Sequence, residues 1–479
     1  MTELLTTPLI WLILLPLCWA TLAFCLGPGR GALLGLAGLG LQLLCAGRLA
    51  VEVTHHQMVT HQVGGWQEPL GILLVCDGLS ATMLLLTQAV ALPVALYARS
   101  YLRQEPHWFW PLTGFLLAGL NGLYLSGDLF NLYVTLELIG LAAVGLVVTG
   151  GIAGQVTAAL RYLLASLVGS GGFLLGVALI YSCYGTVSIG LLSSLIGTQA
   201  PLAVWLAAAV MAIGLMLKTA LFPFHFWLPP AHGGASAPIS ALLSALVVKA
   251  SFYVLLRLWL GPFAGFITPL AWLPALLGCL AIVWGSWRAI RADRLKMLVA
   301  YSTVAQLGYL FLIFPLFGTG SSAVQIGLLQ AIAHGLAKAA MFLAAGLLVK
   351  AGGSERVLGV SHAVNQLPVT LFAFALAGIS LMGLPPSGGF LAKWLLIDAA
   401  LAAGQVWIAV ITVSGGLLAS VYVFRVLRLA FRESIDGDHR RPQPVPALME
   451  WTAFTLAAAS VALGLTAMPL FRLLEGVGG

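Results

Sequence analysis

The chain has 479 residues, of which 61% are hydrophobic and only 8% are charged. Soluble domains usually contain roughly a quarter of charged residues, so this composition excludes an ordinary soluble protein. A net charge of +7 is compatible with nucleic-acid binding, but the basic residues form no run with interleaved aromatic residues, which argues against that class. What remains is a protein that crosses a membrane many times.

Apolar stretches of about 20 residues recur along the whole length, and each can cross about 30 Å of hydrocarbon as an α-helix. None alternates with the two-residue period of a β-barrel strand. The pattern predicts an all-α polytopic membrane protein in which residues 1–479 form a single transmembrane domain. Fourteen spans are predicted, near residues 8–26, 31–50, 71–98, 108–126, 129–150, 158–184, 201–225, 236–260, 265–290, 295–316, 324–350, 367–396, 404–432 and 447–473.

Basic residues between the spans are concentrated on one side. All but three of them, Arg48, Arg257 and Arg472, follow odd-numbered spans. By the positive-inside rule that side is cytoplasmic, and both termini face outward, as in a multi-pass protein of a bacterial inner membrane. The N-terminus has neither a basic n-region nor a small-residue cleavage site, so its first apolar run is expected to remain as a helix.

Four of the six lysines lie well inside predicted spans, namely Lys218, Lys249, Lys338 and Lys393, and no arginine is clearly placed there. A lysine at the bilayer centre costs about 3 kcal/mol, so four cost on the order of 10 kcal/mol unless they are paired, hydrated or neutral. Arginine does not deprotonate in proteins, whereas lysine gives up its proton readily when it is buried. The choice of lysine therefore indicates groups that titrate.

Two spans are interrupted by proline. Lys218 precedes the break in "KTALFPFHFWLPP", and Lys393 follows the break in "GLPPSGG". Proline removes a helical donor and clashes with the preceding turn, so both segments are predicted to be broken helices. Broken helices at corresponding places indicate inverted repeats around ion sites at the membrane midplane. We expect the repeats near residues 108–260 and 265–432.

Other titratable residues lie near these lysines. Glu137 is a mid-helix acid, and its approach to Lys218 would act as a switch for proton uptake and release, although a static ion pair that only orients helices is the alternative. His334 and Lys338 share one helix face, which suits either a proton relay or a buried structural histidine. His225 and His232 flank the first break, at a cytoplasmic uptake site or simply in a loop.

Polar residues in the spans have two interpretations. Ser302, Thr303 and Gln306 bind waters of a proton path or hydrogen-bond neighbouring helices. Asp77 and Asp128 precede apolar runs and are expected to cap helices. The six cysteines are scattered singly, and no Walker A, GxGxxG, HExxH, GxSxG or haem-ligand spacing occurs. No cofactor, metal or catalytic residue is therefore expected, and whether the chain belongs to an enzyme complex stays open.

The combination of Glu137 with "KTALFPFHFWLPPAH", "AYSTVAQLGYL", "AHGLAKAAMFLAAG" and "GLPPSGGFLAKWLL" resembles the antiporter-like subunits of respiratory complex I, Mrp-type Na+/H+ antiporters and membrane-bound hydrogenases. The resemblance covers nearly the whole chain. It implies fourteen transmembrane helices with two inverted five-helix repeats, each containing a broken helix.

The resemblance also implies roles in proton translocation. Glu137 would pair with Lys218, Lys249 would link the two halves, His334 and Lys338 would form a relay, and Lys393 would be the terminal site. Complex I subunits of one type have glutamate at the last position, so Lys393 resembles instead the types with lysine, which include the Mrp D-like proteins. Gln330 stands where larger relatives often have a second histidine, which is a departure from the relay of the family.

These observations predict a proton-translocating subunit of a multi-subunit membrane complex. Its expected partners are other membrane subunits, the bilayer and H+, with Na+ or K+ as the candidate second ion. A Mrp-type cation/proton antiporter or a complex I-like module fits best. The alternatives are a membrane subunit of a redox-driven NADH or ferredoxin:quinone oxidoreductase or hydrogenase, a non-transporting scaffold, and a polytopic enzyme acting on lipid or quinone.

Overall fold

The architecture comes from a computed structural model that describes residues 8–102, 108–149, 153–319, 322–361, 363–432 and 445–475. The basic residues Arg103, Arg440 and Arg441, which contribute to the predicted charge asymmetry, lie outside these ranges.

Helices dominate the described chain because long apolar runs must satisfy their backbone groups internally. They are α1 (Pro8–Leu26), α2 (Pro28–His56), α3 (Gly78–Tyr101), α4 (Phe109–Leu125), α5 (Leu129–Val148), α6 (Ala153–Tyr184), α7 (Ile189–Leu195), α8 (Leu202–Thr219), α9 (Leu228–Gly234), α10 (Ala237–Leu260), α11 (Ala264–Ile267), α12 (Trp272–Arg291), α13 (Leu295–Phe311), α14 (Ala323–Gly352), α15 (Ala363–Gln366), α16 (Pro368–Met382), α17 (Gly388–Ala402), α18 (Val406–Ala430), α19 (Ala447–Ala462) and α20 (Met468–Leu473).

Eleven helices among the described residues are long and apolar enough to cross a membrane, and α4, α16 and α19 are shorter apolar helices. A multi-pass helical membrane protein is therefore confirmed. The count of fourteen spans and the two inverted repeats stay predictions.

A small β-hairpin interrupts the helical pattern between α2 and α3. Strand β1 (Met58–Gln62) pairs antiparallel with β2 (Leu73–Asp77), with Met58 opposite Asp77 and Gln62 opposite Leu73. Helix α2 continues to His56, directly before this hairpin. The predicted start of the third span at residue 71 is wrong, because the apolar run "LLVCD" pairs as a strand, and the purely all-α description needs the same correction.

Both predicted helix breaks are present. Helix α8 ends at Thr219, and Ala220 adopts a left-handed conformation with φ 60° before a 3-10 turn leads into α9. Helix α16 ends at Met382, and Gly383 has φ 84° before "LPPS" leads into α17. Each break frees backbone carbonyls at a helix C-terminus, which attract donors and positive charge.

The helix ends gather at two opposite faces. The first, which we call the hairpin face, holds β1, β2 and the starts of α3, α5 and α7, joined by the isolated bridges Leu74↔Ser126 and Asp128↔Ser188. The second, the basic face, holds the α12–α13 junction, where Arg294 pairs with Arg356 in a third bridge and Arg425 donates to the Ala292 carbonyl at 2.9 Å.

The centre of the molecule is formed by α10, α13 and α14. The most apolar stretch of α10 is wholly buried inside the protein, whereas only a third of the corresponding stretches of α1 and α2 is buried. The helices that carry Lys249 and Lys338 are therefore shielded from lipid, while α1 and α2 lie at the periphery.

Candidate functional site

All four predicted intramembrane lysines are buried in the protein interior. The relative exposure of Lys218 is 8%, of Lys249 0%, of Lys338 0% and of Lys393 6%. Burial away from lipid removes part of the cost of a charged group in hydrocarbon, because protein dipoles can then surround the ammonium. Each of the four donates hydrogen bonds to backbone carbonyls.

Lys218 lies in the last turn of α8 and is held by α6. Its Nζ donates to Ser166 Oγ at 2.8 Å, to the Ser166 carbonyl at 3.2 Å and to Ser170 Oγ at 2.9 Å. The ammonium also packs against α5, since a Cβ atom built at Gly140 would lie 3.7 Å from Nζ. Three acceptors thus surround this group without any carboxylate.

The predicted Glu137–Lys218 pair is not in direct contact. The ion pairs within 4 Å among the described residues join other partners, and Glu137 is partly exposed on α5 one turn before Gly140. The carboxylate nevertheless lies within electrostatic range of Lys218. A small cavity beside Lys218 reaches Val247 and Ser251 on α10, next to Lys249.

Lys249 is tied to an irregular turn of its own helix. Residues 243–247 of α10 form a π-helical turn, and Lys249 Nζ donates to the Ser244 carbonyl at 2.9 Å. The Ser244 hydroxyl meets the Thr303 hydroxyl of α13 at 2.9 Å. Single π turns inside α-helices are frequent at functional sites, and this one brings a backbone acceptor to a buried ammonium.

Lys338 joins the same network from α14. Its Nζ donates to the Ser302 hydroxyl and, at 3.1 Å, to the Val299 carbonyl. Thr303 Oγ1 donates to that same carbonyl at 3.1 Å. Lys249 and Lys338 therefore border one polar cluster, in which Ser244 binds Lys249 through its carbonyl and Thr303 through its hydroxyl. Thr303 and Lys338 both donate to the Val299 carbonyl. The polar residues of α13, Ser302, Thr303 and Gln306, all hydrogen-bond to neighbouring helices, which is one of their two predicted roles.

Lys393 reaches back from α17 to the end of α16. Its Nζ donates to the Leu381 carbonyl at 2.6 Å and to the Met382 carbonyl at 3.3 Å, and lies 4.4 Å from the centre of the Tyr309 ring. Gln306 Nε2 donates to the same Leu381 carbonyl at 3.0 Å. A helix C-terminus and an aromatic face both stabilise a cation.

His334 is buried near the lysines without a hydrogen bond to any of them among the described residues. It is 1% exposed, lies within electrostatic range of Lys249, Lys338 and Lys393, and has no hydrogen bond to either ring nitrogen from the described residues. His334 and Lys338 lie one turn apart on α14, as predicted, but no hydrogen bond joins them in the described part of the chain. Gln330, one turn earlier, donates to Gln306 Oε1 at 3.4 Å.

The two histidines beside the first break differ in their surroundings. His232 is fully buried and stacks on Phe342 with ring centroids 4.7 Å apart, which excludes a loop position. His225 is partly exposed and accepts a hydrogen bond from Trp284 Nε1 at 3.1 Å. Both lie near the basic face.

One partly buried arginine was missed by the sequence reasoning. Arg257 was counted with the loops, but it lies in α10 and forms a two-pronged ion pair with Asp77, one of whose contacts is 2.8 Å. The guanidinium also donates to Ser80 Oγ at 2.9 Å and Tyr253 Oη at 2.8 Å. Its position eight residues after Lys249, on the same helix face, was an available signal.

The predicted capping roles of two aspartates are confirmed. Asp77 accepts from Ser80 N at 3.0 Å at the start of α3, and Asp128 accepts from Asn131 N at 2.7 Å at the start of α5. Burial raises the pKa of Asp77, but the charge and hydrogen bonds of Arg257 outweigh burial and lower that pKa to about 2. Asp77 is thus an anion fixed in an ion pair.

The arrangement suits proton transfer better than bond-making chemistry. No group of three or more His, Cys, Asp or Glu side chains within the described ranges could hold a metal ion. The buried groups are amines, an imidazole, hydroxyls and carbonyls, which accept, release or solvate protons.

Comparison with known proteins identifies the family of this chain. A family model described as "NADH:quinone oxidoreductase/Mrp antiporter, TM" matches residues 126–419, more than half of the chain. An NADH-quinone oxidoreductase subunit of Desulforudis audaxviator is 35% identical, over 87% of this chain and 84% of that protein. A Na+/H+ antiporter subunit of Alkalihalophilus pseudofirmus is 30% identical, over 91% of this chain and 89% of that protein.

Two solved structures share the whole fold. The Mrp complex from Dietzia sp. contains a chain that is 28% identical, with a TM-score of 0.89 over 98% of this chain and 95% of that one. The membrane-bound sulfane sulfur reductase, an archaeal respiratory membrane complex, contains one that is 27% identical, with a TM-score of 0.90 over 99% of this chain and 97% of that one. The chain therefore belongs to the NADH:quinone oxidoreductase/Mrp antiporter transmembrane family.

Proposed function

We propose that this chain conducts protons through the membrane as one subunit of a multi-subunit complex, of the Mrp-type cation/proton antiporter or complex I-like kind. The observation that carries the proposal is the series of four buried lysines, each held by neutral acceptors. A lysine paired permanently with a carboxylate would stay charged, whereas one held by hydroxyl and carbonyl oxygens can exist in both protonation states.

The first half of the path runs from the basic face to Lys249. A proton reaches Lys218, and the cavity that extends to Ser251 offers the way to α10. Glu137 controls this step by its distance, because an approaching carboxylate stabilises the charged amine and a receding one releases the proton. The separation of Glu137 from Lys218 in the structure corresponds to an open pair, which supports a switch over a static ion pair.

The second half runs from Lys249 to Lys393. The polar cluster of Ser244, Thr303 and Val299 leads to Lys338, and the hydroxyl of Tyr422 lies beside both Ser302 and Gln306. Gln306 shares the Leu381 carbonyl with Lys393. His334 assists by its proximity to three lysines, which lets its imidazole respond to each of their charges.

Features of the whole fold support the predicted span count, repeats, orientation and partners. Eleven long and three shorter apolar helices fit fourteen spans, and the two breaks at α8 and α16 fit inverted repeats over about 108–260 and 265–432. The clustering of arginines at the basic face fits a cytoplasmic location of that face, outward termini and a bacterial inner membrane. Sequence relatives named for antiporters and for quinone oxidoreductases support partner membrane subunits and H+, with Na+ or K+ as the exchanged ion.

The test uses the complex purified in mild detergent from its native membrane through a tag on this chain. Mass spectrometry of the bound subunits distinguishes two power sources, because Fe–S or quinone-site subunits indicate redox drive and small hydrophobic subunits with a larger relative indicate a Mrp-type antiporter. A preparation in which this chain has no partner subunit would contradict the assignment to a complex.

Proton flux is then measured after reconstitution of the same complex. Lys218→Ala should reduce flux to the background level while the subunit composition stays unchanged. A scaffold without transport predicts an effect on assembly at most. Undiminished flux with Lys218→Ala would overturn the proposed path.

A further inference from the structure

Two carboxylates meet at the hairpin face, away from the lysine series. Glu68, in the loop between β1 and β2, and Asp128, at the start of α5, line one cavity together with Asn131 and Ser188. The rest of its lining is mostly apolar, including Phe130 and Val134 of α5. Both acids thus face the same space although 60 residues separate them in sequence.

The backbone holds this cavity in a fixed shape. The start of α5 pairs with the segment before α7, through Leu129 N to Val187 O at 2.9 Å and Ile189 N to Gly127 O at 2.9 Å. Gly127 N also donates to Leu73 O at 3.0 Å, which anchors the start of β2, next to the hairpin loop, to the same junction. Three separate chain segments are therefore fixed relative to one another around the two carboxylates.

Ser188 organises the polar end of the cavity. Its hydroxyl donates to Glu68 Oε1 and accepts from Leu191 N at 3.2 Å, which caps α7. One oxygen of Asp128, Oδ1, accepts from Asn131 N. The other oxygen, Oδ2, is buried and has no hydrogen-bond donor among the described residues, and the whole residue is only 8% exposed.

A buried carboxylate oxygen without a donor is unusual, because nearly all buried polar atoms are paired. The comparison with Asp77 is informative, since both aspartates cap a helix at the hairpin face. Asp77 has Arg257 as a counter-charge, whereas the ion pairs found in the described parts of the chain include neither Asp128 nor Glu68. Burial foremost, and the nearby charge of Glu68, raise the pKa of Asp128 despite its backbone hydrogen bonds.

We propose that Glu68, Asp128 and Ser188 bind a hard, oxygen-coordinated cation at the hairpin face. Two carboxylates and a hydroxyl, with the Asn131 side chain at the cavity wall, are the oxygen donors that Na+, K+, Mg2+ and Ca2+ prefer. The cation supplies the missing partner of Asp128 Oδ2 and offsets the repulsion between the acids. It also ties the hairpin loop to α5 and α7. The site is independent of the proton path, because it uses none of the buried lysines.

Thermal unfolding of the intact purified complex tests the site. The chloride salts of Na+, K+, Mg2+ and Ca2+ are titrated at constant ionic strength with choline chloride as the balancing salt. At least one of them should raise the unfolding temperature with a saturable dose response, and the size of each response distinguishes monovalent from divalent occupancy. A response to none of the four beyond that to choline would overturn the proposal.

Two variants test whether the thermal response to the cation comes from this site. Asp128→Asn keeps a good helix cap but loses the charge, and Glu68→Gln keeps the shape of the second ligand. Each should raise the half-saturating concentration by about tenfold or more, since even indirect partners of a bound metal are worth that much. The matched control is Glu52→Gln, an acid of α2 that forms an i,i+4 pair with Arg48 and does not line this cavity. Equal responses of wild type and both site variants would contradict the assignment.

Discussion

Lys249 and Lys338 belong to different helices but bond to the two ends of one buried polar cluster: Lys249 donates to the Ser244 carbonyl, and Lys338 donates to the Val299 carbonyl. Ser244, Thr303 and the Val299 carbonyl form the cluster. The Ser244 and Thr303 hydroxyls, which bond to each other between the two lysines, can each donate or accept and can reorient as the charge on a neighbouring lysine changes. Removal of one atom, Thr303 Oγ1, breaks the hydrogen bonds that lie between the two lysines and so tests this part of the proposed path.

Thr303→Val removes the hydroxyl while keeping the shape of the side chain. The hydroxyl makes two hydrogen bonds, to Ser244 and to the Val299 carbonyl, and each is worth about 1 kcal/mol, so proton flux should fall about fivefold or more. Thr412→Val is the matched control, because Thr412 is also buried and, within the described chain, its hydroxyl bonds only to the Ile408 carbonyl of its own helix. Equal flux in the two variants, measured in proteoliposomes that contain the complex, would remove Thr303 from the path.

Gly383→Ala should impair the terminal lysine. Gly383 has φ 84°, and a Cβ atom there would lie 2.7 Å from Lys393 Cδ, so the lysine side chain must shift and its bond to the Leu381 carbonyl should weaken. Gly404→Ala is the control, since Gly404 has φ 70° but no atom within 4 Å of the added Cβ. Both variants should lose about 1 kcal/mol from backbone strain, and only Gly383→Ala should lose proton flux. Normal flux in Gly383→Ala would argue against a role for the Lys393 contact.

The Asp77–Arg257 ion pair should contribute strongly to stability. Arg257→Met leaves Asp77 as a buried charge without its partner, which should cost about 3 kcal/mol. The side chains are 20% and 19% exposed, whereas those of the control pair Arg48 and Glu52 are 65% and 30% exposed. Arg48→Met should therefore cost less than about 1 kcal/mol. Thermal unfolding of the complex measures the loss of stability in both variants. Similar shifts in unfolding temperature would contradict a strong contribution of the Asp77–Arg257 pair.

The same pair predicts a dependence of stability on pH. The pKa of Asp77 is lowered to about 2 in the folded protein, against about 3.9 for an unfolded aspartate. The stabilisation is therefore fully present above pH 3.9 and is lost as the pH falls toward 2. The difference in unfolding temperature between wild type and Asp77→Asn should be constant from pH 7 to pH 5 and should shrink below pH 4. A constant difference down to pH 2.5 would show that the Asp77 charge does not stabilise the fold.

The sequence was sufficient to predict features that depend on local chemistry. Lysine within an apolar run predicted the four buried amines, proline predicted the two breaks, and aspartate before an apolar run predicted both caps. Each of these follows from one residue and its neighbours. The resemblance to a known family added the expected roles, and comparison of the whole chain places it in the same family.

Features that depend on tertiary contacts were not accessible. Ser166 and Ser170, which hold Lys218, are unremarkable serines in an apolar helix until α6 meets α8. The π turn at 243–247 leaves no periodic signal, since every residue around it is buried. The run "LLVCD" was assigned to a helix because a short apolar run does not distinguish a strand from a helix. Arg257 was counted with the loops because it lies only three residues before the end of α10.

Proton flux through the reconstituted complex with Lys249→Arg tests the central claim most directly. Arginine keeps the positive charge but does not deprotonate, so a path that requires release of a proton from Lys249 must stop. We expect full assembly and flux at the background level. The control Lys350→Arg, at the basic face where Lys350 lies 4.7 Å from the Tyr101 ring centre, should keep normal flux. Normal flux with Lys249→Arg would show that the charge of the buried lysine suffices and that it passes on no proton.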